Sequence, residues 1–238
     1  MTADPLRLMA EVDRATDRLM RTAAALDDAA VAAPSALPGW SRGHVLTHVA
    51  RNADAYVNLL TWARTGEVTP AYRDAAQREA DIAAGASRAR AEQLADLRAA
   101  AARFAAAADE MPPEAWTAEL TLRNGPKPAA VVVWHRLREV EVHHVDLAAG
   151  YAPADWPEAF SHRLLHELVA DLGGWDSFPP LVLDPAETGH ILTLGEPDGA
   201  PTASGPAWAL AGWLAGRTKG EEIILDPVGL LPAPPPWK

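Results

Sequence analysis

The chain has 238 residues, 49% of them hydrophobic and 22% charged, with a formal net charge of -11 and no cysteine. Its acidity argues against a nucleic-acid or anionic-membrane partner, since both would be repelled. Without cysteine there are no disulfides, no thiolate zinc site and no cysteine nucleophile. Any metal must rest on His, Asp and Glu, and any thiol chemistry needs a thiol brought in by a cofactor.

The first residues lack the basic start and apolar stretch of a signal peptide. Apolar runs such as "AAVVVW" fall well short of the roughly 18 residues of a membrane span. A cytoplasmic protein is the expectation. From Leu8, the positions Val12, Ala15, Leu19, Ala23 and Leu26 recur at three- and four-residue steps, which predicts an amphipathic helix. "APSALPGWS" reads as a loop, with Ser41 as N-cap of a second helix running to about Arg64. "TGEVTPAY" breaks the pattern. A third, Ala-rich helix covers roughly Arg88 to Glu110 and stops at Pro112 and Pro113. A fourth opens near Pro126 or Pro128 and runs to Gly150.

Beyond Gly150 the texture changes. "YAPADWP" reads as a linker and "EAFSHRLLHELVADL" as a helix. "LVLDP", "HILTLGE" and "EIILDP" are short strand candidates between Pro, Gly and Asp turns. "SGPAWALAGWLAGR" predicts a further helix with Ser204 as N-cap, and the tail "LPAPPPWK" reads as extended. The expected architecture is α+β overall: a four-helix bundle over residues 1–152 and a smaller α+β domain over 153–238.

The fourth helix contains "REVEVHHVDL". At about 100° per residue, Glu139 and His143 share one face, with His135 a turn earlier and Asp146 on the same side. Glu141 lies about 200° away, so both acids cannot face the bundle interior. The choice is between Glu139 with His143 and Glu141 with His144. Val131, Val132 and Val142 accompany the first pair, and ionisable groups among apolar ones are costly unless paired or metal-bound. The Glu139 face is therefore preferred, and replacing Glu141 is expected to do little. The second helix offers His44 and His48, again four apart, with Val45, Val49, Tyr56 and Leu59 supporting burial nearby. Facing helices of a bundle commonly build metal sites in their shared core. Three His/His/Glu ligands leave a coordination position open, as in catalytic zinc sites. The same spacing also occurs in surface ion pairs, so spacing alone leaves both readings standing. His162, His166 and His190 are read as structural or surface residues.

"LPGWSRGHVLTHVARNADAYVNLLTWARTGEVTPAY", "REVEVHHVDL", "SGPAWALAGWLAGR" and "PAPPPW", in this order over essentially the entire chain, resemble the mycothiol-dependent maleylpyruvate isomerase family. The N-terminal half is similar to DinB-like four-helix metalloproteins, and the C-terminal half to a sterol-carrier-type α+β domain. The resemblance implies metal ligands at His48, Glu139 and His143, with His44 and His144 as neighbours. It also implies a functional arginine at Arg217, reading as a carboxylate clamp rather than a helix-end charge. The implied cofactors are mycothiol and a divalent metal, zinc foremost. The implied activity converts maleylpyruvate to fumarylpyruvate in gentisate breakdown, by addition of a metal-activated thiolate, rotation and elimination. His44 and Asp146 are candidates to orient a ligating histidine through its other ring nitrogen. Asn52 and Arg51 lie near the same site by spacing.

Two other readings start from the same residues. A mycothiol-dependent S-transferase would release the adduct instead of collapsing it. A non-enzymatic zinc-binding bundle fits less well, because a site with an open position is a poor structural metal site. The partners expected are the small-molecule substrate and mycothiol, with no nucleic acid and no membrane. No unpaired apolar stripe is evident along the bundle, so a monomer is expected.

Overall fold

The structure, a computed structural model, describes residues 4–122, 125–173, 178–235 and 237. It divides into two compact units, Met1–Tyr151 and Ala152–Lys238. The architecture is α+β, with the helices concentrated in the first unit. Among the described residues no helix is long and apolar enough to cross a membrane.

In the first unit, α1 (Pro5–Ala25) starts where the Asp4 carboxylate accepts the Leu6 N–H at 3.0 Å. Its Val12, Ala15, Leu19 and Ala23 stripe is buried. A short α2 (Asp28–Ala32) follows. The central helix is α3 (Arg42–Thr65), against which α4 (Ala75–Ala86), α5 (Arg90–Asp109) and α6 (Val131–Asp146) all pack. Gly66, at φ 77°, ends α3 in the left-handed conformation that glycine adopts without a Cβ clash. Helix α1 closes the unit against α5 and α6.

Two parts of this unit differ from the sequence expectation. Residues 75–86 form α4, capped by the Asp74 carboxylate on the Gln77 N–H at 2.7 Å. Ile82 is the one large apolar residue α4 buries, so it carries no apolar stripe; small residues seat it instead. A Cβ on Gly43 would stand 2.1 Å from Ala86 O, and one on Gly85 would stand 2.5 Å from Thr47 Cγ2. The absence of both lets α3 and α4 meet backbone to backbone. Buried Gln93 locks the contact, donating to Gly85 O at 2.8 Å and accepting from Thr47 Oγ1 at 3.1 Å. The second difference precedes α6. The stretch read as its opening is a hairpin of β1 (Glu119–Leu122) and β2 (Gly125–Pro128). Pro126 and Pro128 sit in a strand with a single neighbour, where a missing N–H costs little. The helix itself begins only at Val131.

In the second unit, a 3₁₀ turn at Pro153–Asp155 leads to α7 (Glu158–Leu172). A four-stranded sheet is ordered β4-β3-β5-β6, from β3 (Leu181–Pro185), β4 (Leu192–Leu194), β5 (Thr202–Gly205) and β6 (Ile224–Asp226). Strands β3 and β5 are parallel, and the other neighbours antiparallel. Helix α8 (Ala207–Leu214) follows β5 and packs on α7 and the sheet. Ser204, expected as the N-cap of this helix, lies in β5, and the cap position is Pro206. Residues 231–235 and 237 of the tail have no regular structure, and its Pro236 and Lys238 lie outside the described residues.

Candidate metal centre

Local structure fixes which histidine of α3 turns inward. The Ser41 hydroxyl accepts the His44 N–H at 3.3 Å, and His44 Nδ1 accepts the Ser41 N–H at 3.2 Å, a reciprocal cap. His44 Nδ1 is thereby engaged at the helix start. One turn on, His48 is buried. Arg42 ties the first turn of α3 to the residues that follow α6, donating from Nε to Leu147 O at 2.6 Å and from Nη2 to Ala148 O at 2.9 Å.

Helix α6 brings Glu139 and His143 to the same point. His48 Nε2 is 3.1 Å from Glu139 Oε2 and 3.0 Å from His143 Nε2, and His143 Nε2 is 3.4 Å from Glu139 Oε2. A tetrahedral ion with bonds of about 2.1 Å keeps its donors about 3.4 Å apart, so this set needs little adjustment to hold one. Among the described residues, only these three His, Asp or Glu side chains gather their donor atoms within 4.8 Å of one another. His135 is not part of the group. The donor chemistry, two imidazole nitrogens and one carboxylate, suits zinc and other first-row divalent ions, and three protein donors leave a position open.

The surroundings orient and charge the group. Asp146 Oδ2 lies 2.9 Å from His143 Nδ1, which directs Nε2 at the centre. Burial would raise the Glu139 carboxyl, but hydrogen bonds with His143 and His48 hold it well below the carboxylate range. His143 goes the other way. Burial lowers it, yet Asp146 and Glu139 together lift it to about 9. Burial and the neighbouring His143 charge push His48 below its ordinary value.

Three neighbours were not apparent from the sequence. Arg78 Nη2 is 3.3 Å from His48 Nδ1, which sets a guanidinium charge beside the ring on the side away from the triad. Its guanidinium carbon lies 5.7 Å from the Tyr72 ring centre. Trp40 meets the His48 ring edge-on at 5.6 Å. Arg78 and Tyr72 belong to the α4 region, whose helix has no apolar periodicity to announce it; Trp40 has only the "GW" preceding the cap as a signal.

The opposite face of α6 corrects another expectation. Glu141 is 1% exposed, not a solvated acid. It pairs with Arg18 from α1 and accepts the Tyr151 O–H at 2.6 Å. His144 is also buried there, 2.7 Å from Thr22 Oγ1 and stacked on the Tyr151 ring at 3.7 Å. Asn52 accepts from buried Arg136 at 2.9 Å. Arg51 forms ion pairs with Asp54 and Asp96 at 3.0 and 2.6 Å. In the second unit Arg217 stands just beyond α8, its N–H donating to Gly212 O at 2.7 Å and its Nη1 to Ala215 O at 2.6 Å.

Two imidazoles and a carboxylate converge between facing helices of a helical unit that a smaller α+β unit follows, an arrangement that could hold a divalent ion. The chain belongs to the family described as the mycothiol maleylpyruvate isomerase N-terminal domain, which it matches over residues 12–148. It is also similar at full length to two solved structures. A crystal structure of a mycothiol-dependent maleylpyruvate isomerase is 29% identical with a TM-score of 0.91, covering 98% of this chain and 97% of that one. A histidine-to-alanine variant of such an isomerase is 28% identical with a TM-score of 0.90, at the same coverage. A comparison with curated protein sequences finds no match.

Proposed function

We propose that this protein is a mycothiol-dependent isomerase converting maleylpyruvate to fumarylpyruvate, with a divalent ion, zinc foremost, on His48, Glu139 and His143. The observation that carries the reading is the convergence of those three side chains, with donor atoms within 4.8 Å, in a chain of this family. A carbon–carbon double bond does not rotate at useful rates, so a cis–trans change needs it to become single for a time. Mycothiol would supply the sulfur that adds to the alkene and leaves after rotation, and the ion would keep that sulfur ionised at neutral pH.

The chain's own residues meet the remaining needs. Glu139 is ionised in its paired setting and is the one anionic donor, so the ion would keep net positive charge. Asp146 holds His143 with Nε2 presented inward. Arg78, beside His48, and Arg138, whose Nη2 is 3.9 Å from Glu139 Oε1, place positive charge near the centre. An acidic protein taking a dianionic substrate needs such local charge. Arg217 is assigned to a substrate carboxylate, where its forked donors suit bidentate pairing and offset charge developing on the enolate. Absence of cysteine leaves no internal thiol to compete for the ion.

The test is conversion of maleylpyruvate by metal-loaded protein with and without added mycothiol. Conversion that requires mycothiol is the expected result. No conversion by protein that retains its metal would overturn the isomerase assignment and point to conjugation of a different electrophile at the same centre.

A further inference from the structure

We propose a second metal site, wholly within the C-terminal unit, formed by His162, His166 and His190 and taking a borderline divalent ion such as Zn2+ or Cu2+. His162 and His166 are one turn apart on α7, a spacing that puts two imidazoles on one helix face. His190 comes from the segment between β3 and β4, and its ring centre is 5.7 Å from that of His166, with an interplanar angle of 37°. His166 thus meets His190 directly, while His162 faces Glu187 of the same β3–β4 segment at 3.8 Å.

His162 distinguishes this cluster from an ordinary solvated face. Its Nε2 is buried and has no hydrogen-bond partner among the described residues. The carboxylate facing it, Glu187 Oε2, is 3.8 Å away, beyond hydrogen-bond range. A buried ring nitrogen without a partner is costly, and coordination would satisfy it. Glu187 has its own anchor, both oxygens lying 3.1 Å from the Ala207 N–H at the start of α8. That contact holds the segment carrying His190 against the unit while leaving carboxylate density beside the imidazoles.

Three neutral imidazoles suit zinc and copper rather than calcium or magnesium. The donors are not drawn together as tightly as in the first unit, and closure takes rotation of the exposed His166 and His190 side chains. An ion bound there would clip α7 to the β3–β4 segment, independently of the triad.

Calorimetric titration of metal-stripped, tag-free full-length protein with Zn2+ tests this. Wild type is expected to take two ions per chain. The double variant His166→Ala/His190→Ala should take one, with the triad event unchanged, and Glu139→Gln should keep the C-terminal event. Both substituted residues are exposed, so folding should be unaffected. Cu2+ loaded at one equivalent into a His48→Ala/Glu139→Gln/His143→Ala protein should show imidazole nitrogen coupling in its electron paramagnetic resonance spectrum, lost when His166 and His190 are also replaced. A second ion that survives the double substitution, or a Glu139→Gln protein that binds none, would overturn the proposal. A single ion retained in Glu139→Gln and lost in the double variant would support it while removing the triad assignment.

Discussion

The two acids of α6 lie two positions apart, and their conversion to glutamine should separate two kinds of damage. Glu139→Gln removes the one anionic donor of the triad. Loss of an outer partner of a metal ligand already weakens binding about 10- to 100-fold, so losing a donor should cost more than about 100-fold. Glu141→Gln should leave the triad's metal in place and lower stability. Glu141 accepts from both Arg18 and Tyr151, and its side chain is 1% exposed against 29% for Arg18. Glutamine can turn its oxygen to Arg18 and its amide to the Tyr151 oxygen, so no group need be stranded. What is lost is the difference between a charge-assisted and a neutral hydrogen bond, about 1–2 kcal/mol. For a protein of this size that lowers Tm by about 2–8 °C. The assay is thermal unfolding of metal-stripped proteins by circular dichroism, paired with chelator competition for the metal. Equal loss of metal in the two variants would mean that the triad has been placed on the wrong face of α6. An unchanged Tm for Glu141→Gln would refute the stability argument.

Metal loading should depend on pH in a defined direction. In the metal-free protein His143 titrates at about 9, His48 below its ordinary value and Glu139 well below the carboxylate range. At pH 7 one proton, on His143, must therefore leave, so affinity should rise about tenfold per pH unit from about 7 towards 9 and fall on acidification. Calorimetry in buffers of different ionisation enthalpy reads that proton, and zero release would contradict it. Arg217→Ala should leave triad metal content intact while lowering turnover at least 10-fold; a fully active variant would remove its assigned role. Gly43→Ala, whose Cβ would stand 2.1 Å from Ala86 O, should destabilise the first unit by about 1–3 kcal/mol, measurable by urea unfolding. No change there would show that α3 and α4 can part without cost.

The contrast between α1 and α4 shows what a sequence can disclose. Val12, Ala15, Leu19 and Ala23 write the inward stripe of α1 in apolar residues, and Ser41 announces α3 because capping is local chemistry. Helix α4 is seated by Gly85 and Ala86 against Gly43 and Thr47, contacts between small surfaces that no hydrophobic period records. Its loss from the reading also hid Arg78 and Tyr72. Strand β5 is similar: "TASG" is polar and small, and it is a strand because β3 and β6 flank it. At the centre, Glu139 and His143 were legible as a pair through the 3.6-residue period, whereas the choice of His48 over His44 rested on family resemblance. The structure supplies a physical reason, since the cap occupies His44. Glu141 departs from expectation because the helical period points to one inward face, and α6 buries two.

That second buried face bears on how the triad can vary. Helix α6 is keyed on both sides, by Glu139 and His143 toward α3 and by Glu141 and His144 toward α1 and Tyr151. A turn of about 100° or a one-residue slip would swing Glu139 and His143 away from His48 and at the same moment drive two other polar groups into apolar surroundings. The helix therefore has a single phase in which both sets are satisfied. Any redesign that exchanges Glu139 or His143 for other donor side chains inherits that phase, and should succeed only with donors that reach the same point from the same rotation.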